Sequence, residues 1–567
     1  RAAGGCDGVV ALAHTEAAAE AGGRRPRNWE LLLQTLSGFV SHPNVAAALV
    51  VGYEGELLSP EVLRAHMEGA GRPLPRWCKF LTLTGAFEDD LEACREVVTR
   101  WLPEVGACAR SPQPLEHLRV ALQCGGSDAF SGVSGNPAAG AAAKLLIEHG
   151  GAAVLAETDE LIGAESYVLA RTGDAETARR FLGMVERFKE RFSWHGQSAE
   201  SNPSGGNKLR GLYNIVLKSL GAAKKKHAEV ALDGVLEYGQ RLPEGQRGYF
   251  FMDSPGNDLE SIAGQVASGC NVIFFITGNG AITNFPFVPT VKIITTTERF
   301  QLLDRDMDFN AGRFQDDLVP MDRLGAELFG EMLRVAAGGR SAGELAGHSQ
   351  VSIWREWAQD GPVADPSSLR LGEREGQPLA LPGPGALSDL DVRASDIVKD
   401  ATFSAAGGDR NGTERLGLIL PTSLCSGEIA RRAAEELNAL RAGGGAEGPL
   451  LGGAFDRFAA LPHTEGCGNG YSGDGEQLFT RVLLGHLLHA NVAGALLLEH
   501  GCEKSHNSWM TEEMRLRGLD PTQFGWASAQ LDGGIDKVLA RVHDWFLGEA
   551  RRRSAEPGAP PAAEPGR

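Results

Sequence analysis

The phrase "LAHTEAAAEA", starting at Leu12, returns near the other end of the chain as "LPHTEGCGNG", starting at Leu461. A second pair follows in the same order: "HPNVAAALVVGYEGE" from His42 answers "HANVAGALLLEHGCE" from His489. In that alignment Tyr53 faces His500, Gly55 faces Cys502, and Glu56 coincides with Glu503. Two ordered matches mark a domain written twice, and two copies are too few for a solenoid. Whatever fold residues 1–110 adopt, residues 411–550 are expected to adopt again.

Between the copies the text keeps an α/β rhythm. Residues 1–110 alternate strand-like runs ("GVVALAH", "AAALVVGYEG") with helix-like ones ("NWELLLQTLSGFV", "EDDLEACREVVTRWL"), and residues 111–355 continue with "HLRVALQCGGSD", "AAAKLLIEHG", "RGYFFMDSPG", "NVIFFITG" and "TVKIITTT". This pattern predicts a multidomain α/β protein of mostly parallel sheets flanked by helices, with a duplicated smaller α/β domain. Residues 356–410 are rich in Gly and Pro without periodicity and read as a linker. The block from 411 to 550 opens with "RLGLILPTSLCSGEIARRAAEELNAL", a strand, a polar turn and a helix that Ser426 could cap. The tail, 551–567, reads as disordered.

Composition narrows the function. A chain of 567 residues and 60.2 kDa exceeds one ordinary core and points to three or four domains. Its formal charge of -18 argues against a nucleic-acid partner, because phosphate affinity needs clustered Lys and Arg. No apolar run reaches the length of a membrane span; "NVIFFITG" at 271–278 has the length of a buried strand. Nine cysteines, an odd number without repeated spacing, favour a reducing compartment. The opening residues carry no signal-type apolar core and no initiating Met, so a cytoplasmic protein is expected, with organelle targeting left open.

Polar loops follow the apolar runs of the middle block. "VALQCGGSDAFSGVSGNP" (119–137) sets Gln123, Cys124, Ser127, Asp128, Ser131 and Asn136 in a glycine-rich turn, where free backbone N–H groups can meet an anion. The bland reading is an ordinary capped turn, and the loop has neither GxxxxGK[ST] nor GxGxxG. "SNPSGGNKLRGL" (201–212) offers Asn202, Asn207 and Lys208 for a carboxylate. "FMDSPGND" (251–258), "ITGNGAITNF" (276–285) and "DRDMDFNAG" (304–312) have the same form, the last with Asp304, Asp306, Asp308 and Asn310. Singly each is a solvated turn. At successive strand ends of a doubly wound sheet they would converge on one cleft suited to a polyhydroxylated anion.

The rear block differs in kind. His463, Glu465 and Cys467 share one turn, and His500, Cys502, Glu503, Lys504 and His506 end an apolar run. Thiolate, imidazole and carboxylate together can hold a transition metal or supply an acid/base pair, although the spacing is no zinc signature. Packing is the alternative reading for any one of them.

Taken in order, "LQCGGSDAFSGVSGNPA", "NPSGGNKLRGL" with "KSLGA", "FFMDSPGND", "TGNGA" and "DMDFNAG" resemble the altronate/galactarate dehydratase family, whose relatives include the large subunit of sulfolactate sulfo-lyase. The resemblance covers about residues 111–355. Residues 1–110 look like a weakened form of the family's preceding domain. The rear block looks like another copy, with His463 to Gly468 and Gly501 to Glu503 carrying the family's His-x-x-Gly-Cys-Gly and Gly-Cys-Glu phrases.

The resemblance implies a hydro-lyase that removes the proton α to a sugar-acid carboxylate and expels the β-hydroxyl, with a divalent metal: Fe2+ by preference, Mn2+ or Mg2+ as alternatives. It implies His463, Lys208, Asp253, Glu503 and His500 as acids or bases. Gln123, Ser127, Asp128, Asn207, Lys208 and Asn310 would bind the substrate, and Cys467, Cys502, His463 and Cys124 the metal. Two departures qualify it. The small amino-terminal domain of many sugar-acid dehydratases is missing from this text, and a separate small subunit could supply it, as in the sulfo-lyase; a homo-oligomer is also left open. The front repeat reads Ala17-Ala18-Ala19 against Gly466-Cys467-Gly468, and Gly55 against Cys502, so the front copy is expected to be scaffold and the rear copy to return the reactive side chains. A carbon–sulfur lyase acting on sulfolactate and an inactive sugar-acid-binding relative stand as the alternatives.

Overall fold

The structure is a computed structural model describing residues 7–14, 25–26, 28–243, 245–355, 412–443, 445–465 and 474–555. The expected linker, Cys467 and residues 556–567 of the expected tail lie outside the described residues; residues 551–555, read as the start of a disordered tail, instead close the helix Ile535–Ala555. All three sheets are parallel. In the front block β1 (Ala47–Tyr53) pairs with β2 (Trp77–Leu83), Ala47 opposite Trp77. The run "GVVALAH" is not a strand: residues 7–14 carry no regular secondary structure, and Val9 and Val10 are exposed. A strand needs a ladder with a neighbouring strand, and among the described residues this run joins none of the sheets.

The central sheet runs β5 (Gly234–Leu236), β6 (Gly248–Met252), β4 (Ala152–Leu155), β3 (Arg119–Cys124), β7 (Val272–Thr277), β8 (Thr290–Ile294) and β9 (Phe309–Asn310). From β3 the chain adds β4 beside it, runs to the edge at β5, comes back to place β6 between β5 and β4, then crosses to add β7, β8 and β9 on the other side. The order therefore reverses between β3 and β7, where such sheets open a crevice at their carboxyl ends. Alternation fills both faces. Val120, Leu122, Phe251, Phe274 and Ile276 enter one core, while Ala121, Val154, Phe250, Ile273 and Phe275 enter the other.

Helix Trp29–Val40 of the front block packs on helix Asp258–Ala267, where a side chain at Gly38 would meet the Ala267 carbonyl oxygen at 2.4 Å. The glycine is what permits that approach.

The rear sheet is ordered β11 (Arg457–Ala460), β10 (Leu416–Pro421), β12 (Val492–Glu499), β13 (Gly525–Ser528). Helices Leu424–Ala442 and Ile535–Ala555 cover one face; Asp474–Leu487 and Asn507–Leu516 cover the other. The cap of Leu424–Ala442 is Ser423, not Ser426. Ser423 is the extended residue, and Ser426 lies in the first turn and bonds back to it. The two matched phrases share a local device: His42 Nδ1 accepts from Asn44 N and His489 Nδ1 from Asn491 N, each at 3.1 Å, before β1 and β12 respectively. Among the described residues no helix is long and apolar enough to cross a membrane.

Candidate active site at the carboxyl ends of the central sheet

β3 ends in Cys124-Gly125-Gly126-Ser127, and the sheet dictates both glycines. A Cβ on Gly125 would lie 2.2 Å from the Phe275 ring, and one on Gly126 would lie 2.8 Å from Asn279 Nδ2 and 3.3 Å from Cys502 Cβ. The loop thus has β7 on one side and the rear block on the other. Ser127 Oγ is 2.5 Å from Cys124 Sγ, and Asn207 Nδ2 donates to Ser127 O at 2.7 Å, tying the short helix Gly205–Leu209 to the loop. Asp128 accepts from Ser131 N at 2.8 Å and from Thr295 Oγ1 at 3.0 Å. Burial pushes its carboxyl up despite those donors.

Beneath the loop lies a buried charged cluster that inspection of single motifs had missed. Glu157, just past β4, has φ +70°, a region that costs a non-glycine residue roughly 1–3 kcal/mol. The turn aims its carboxylate back over the strand ends. There Gln123 Nε2 donates at 2.5 Å, Cys124 N at 2.8 Å and Lys225 Nζ at 3.1 Å. Glu160 pairs with Lys218 at 2.6 Å, Lys218 also donates to Asn202 Oδ1 at 2.6 Å, and Asn202 Nδ2 donates to Asp159 at 2.5 Å. Burial and then Glu160 drive the Cys124 thiol far above its ordinary value, so it stays protonated. Burial opposes charge on Lys218, but the adjoining Glu160 carboxylate outweighs it and holds the ammonium protonated. The signals for this cluster are three acids, Glu157, Asp159 and Glu160, just after the apolar "AAVLA" and one lysine inside the apolar helix "IVLKSLGA".

The rear block contributes loop 500–503. His500 Nδ1 lies 3.1 Å from Cys502 Sγ; Glu503 accepts from Thr422 Oγ1 and His500 N at 2.8 Å each, and from Gly501 N at 2.6 Å. Burial lowers His500 and keeps its ring neutral. Burial would raise Glu503, but the donors around it, the Gly501 N–H and the Thr422 hydroxyl among them, hold it low. His500 Nε2 has no hydrogen-bond partner among the described residues, and the ring borders a cavity of about 10 Å³ beside Asp306 and Gln530.

Among the described residues two groups bring ligand atoms within 4.8 Å of one another: Cys124 with Glu157 and Glu160, and His500 with Cys502 and Glu503. The first already holds Lys225 and Lys218 as counter-ions and a neutral thiol, so a cation there would meet two ammonium groups. The second offers a neutral imidazole, a half-buried thiol and an ionised carboxylate, a donor set suited to a transition metal.

The predicted site residues divide accordingly. Gln123, Cys124, Ser127 and Asn207 meet at the loop, with Asp128 adjoining, and Cys502 faces it from the rear block, while Glu503 bonds within that block. Asp253 sits under the cluster: Thr158 Oγ1 donates to it at 2.6 Å, Arg187 at 2.6 Å and Arg191 at 2.9 Å. A carboxylate held this way positions its neighbours and is a poor base. His463 has both ring nitrogens engaged, Nε2 with Pro421 O at 2.8 Å and Nδ1 with Glu465 N at 3.2 Å, which leaves neither for a metal or a proton. Lys208 is exposed on its short helix. Asn310 is not brought in; it closes β9, two strands beyond β7, and accepts from Gly312 N.

Residues 115–359 match the family described as "D-galactarate/Altronate dehydratase, C-terminal", and residues 2–106 with 407–546 match "D-galactarate dehydratase/Altronate hydrolase, second domain". The chain is 32% identical to altronate dehydratase of Bacillus subtilis over 333 residues, covering 59% of this chain and 64% of that protein. It is 32% identical to altronate dehydratase of Escherichia coli over 351 residues, 62% and 68% of the two chains. Against galactarate dehydratase (L-threo-forming) of Escherichia coli it is 30% identical over 329 residues, 57% and 62%. The matched part therefore spans about two thirds of these curated relatives.

Proposed function

The chain belongs to the altronate/galactarate dehydratase family, and from that premise we propose that it dehydrates a sugar acid, a hexonate of the altronate type or a hexarate of the galactarate type, to a 2-keto-3-deoxy acid. One observation carries the reading. The loop holding His500, Cys502 and Glu503 is seated against Gly126 at the switch point of the central sheet, so donors from blocks far apart in sequence border one crevice.

The reaction needs an α-proton made acidic and a hydroxyl made to leave. His500, Cys502 and Glu503 fit a divalent cation, Fe2+ first and Mn2+ or Mg2+ as alternatives, and Cys467 joins them as a sequence-based candidate. When bound, such an ion supplies a Lewis acid for the carboxylate that becomes an enediolate. The chain's own residues do the rest. Lys218 and Lys225 are neutralised by Glu160 and Glu157, and the cluster acts through Glu157, which accepts from Cys124 N and so fixes the start of the Gly125–Ser127 turn. Asn207 and Asp128 hold the shape of that turn. Arg210, with no carboxylate at ion-pair distance among the described residues, brings its Nη1 beside Gly206 at the crevice rim, where it can receive the substrate's anionic end.

The test is turnover of a hexonate and hexarate panel with Fe2+, Mn2+ and Mg2+ under anaerobic conditions, reading the keto-deoxy acid. Sulfite released from sulfolactate, with no keto-deoxy acid from any sugar acid, would replace this reading with a carbon–sulfur lyase. Binding without turnover would make the chain a sugar-acid-binding relative.

A further inference from the structure

Asn279 is the one buried carboxamide among the described residues whose nitrogen and oxygen both lack a hydrogen-bond partner, and it is 0% exposed. Its backbone, by contrast, is fixed: the N–H donates to Gly126 O at 3.1 Å, and the carbonyl accepts from Arg299 Nη2. A buried polar group left unpaired costs about 1–3 kcal/mol, and here donor and acceptor are orphaned together. A residue needed only for the loop would bond within it.

The amide's surroundings are what a ligand would require. A Cβ on Gly126 would come within 2.8 Å of Asn279 Nδ2 and 3.3 Å of Cys502 Cβ. A Cβ on Gly206 would lie 3.7 Å from the same nitrogen and 3.5 Å from both Arg210 Nη1 and Gly501 O. Two glycines from separate elements thus let the amide, a guanidinium and the Cys502 loop approach one another at one point.

We propose that Asn279 reads the α-hydroxy-carboxylate of the substrate, its N–H donating to a carboxylate oxygen and its C=O accepting the neighbouring hydroxyl, with Arg210 supplying the charge that draws the anion in. The proposal rests on the sugar-acid reading and adds to it the group that distinguishes a hydroxy acid from a plain dicarboxylate. Orphaned hydrogen-bonding groups discriminate strongly against an analogue that cannot fill them.

The experiment compares galactarate with adipate, which has the same chain length and charge and no hydroxyls. In the metal-loaded protein, galactarate is followed by turnover and adipate by competitive inhibition; a preparation without turnover gives the same preference by calorimetric titration. For Asn279→Ala the preference for galactarate over adipate should fall about tenfold to a hundredfold, the adipate constant should stay within about threefold of wild type, and the melting temperature should hold or rise. Asn279→Asp should weaken both ligands, by placing a carboxylate against an anion. Equal losses for both ligands in Asn279→Ala, or a lower melting temperature with the preference intact, would make the residue structural and overturn the proposal. Wild-type turnover with an unaltered preference in the variant would overturn it while leaving the dehydratase reading in place. If the wild-type protein uses a hexonate and not galactarate, altronate and hexanoate take the places of galactarate and adipate; failure to bind or turn over any hexonate or hexarate would remove both.

Discussion

A side chain on Gly126 would stand 3.3 Å from the Cβ of Cys502, so the turn after β3 and the rear block's cysteine loop are fitted to each other across the crevice. Gly126→Ala is expected to disturb that fit. The new methyl would also press on Asn279 Nδ2 at 2.8 Å, a contact real Cβ atoms do not make. Overpacking of this kind costs about 1–3 kcal/mol. The expected outcome is at least tenfold lower turnover of the best sugar acid, with a drop of a few degrees in melting temperature. Wild-type turnover in this variant would show that the crevice is not where the substrate lies.

Cys502→Ala and Cys467→Ala test the donor set directly. Metal content by elemental analysis after Fe2+ loading should fall in the first, and in the second if its thiol is also a ligand. Turnover should fall in parallel and return little on added Fe2+. Alanine at His14, the front-copy counterpart of His463, should leave both unchanged. Full metal content and turnover in Cys502→Ala would remove the rear loop from the chemistry.

The buried pair Lys225–Glu157 gives a stability prediction with a sign test. Lys225→Met leaves Glu157 without its counter-ion at 0% exposure, a change that costs about 3–5 kcal/mol. Glu157→Gln made in the same protein removes the stranded charge and should recover more than half of that loss, although Gln123 Nε2 and Cys124 N keep an acceptor. Denaturant midpoints of both single variants and the double variant measure the coupling. Additive losses would mean that the two side chains are not interacting.

Much of the fold was legible because burial writes periodicity. Runs such as "NVIFFITG" and "TVKIITTT" hold β7 and β8, which are buried at every position because parallel strands are covered on both faces, and so they read as mostly apolar runs rather than alternations. "GVVALAH" carries the same text and forms no strand among the described residues, since pairing depends on an edge that sequence does not record. For the site, glycine-rich turns advertised the crevice, but their polar residues proved unequal. Asn207 and Asp128 are spent on holding turns, Asp253 on two arginines, and His463 on Pro421 and Glu465. Glu157, Glu160, Lys218 and Lys225 were harder to see, because a buried ion pair is a relation between distant positions and each member alone looks like a surface charge. Asn279 escaped for the opposite reason: its distinction is the lack of a partner, which only three dimensions reveal.

His42 supplies a pH prediction for the joint between the front block and the central sheet. Its Nε2 lies 3.0 Å from Cys270 O, and it follows the helix Trp29–Val40 that packs on Asp258–Ala267. Burial first, and Arg119 in smaller part, lower its pKa from 6.5 to about 4, against the Cys270 carbonyl, which favours the proton. The folded pKa is therefore depressed. Above pH 6.5 both folded and unfolded chains hold the ring neutral and the residue adds no pH dependence. As pH falls from 6.5 toward 4 the unfolded segment takes up a proton that the folded one refuses, so stability is lost progressively, to the order of 3 kcal/mol. Hydrogen exchange of residues 29–40 should accelerate over that window before the amides of β3 and β7 do. His42→Gln, which keeps a donor for Cys270 O and cannot titrate, should flatten the dependence. An exchange rate in 29–40 that tracks pH equally in wild type and His42→Gln would assign the acid sensitivity of this joint to another group.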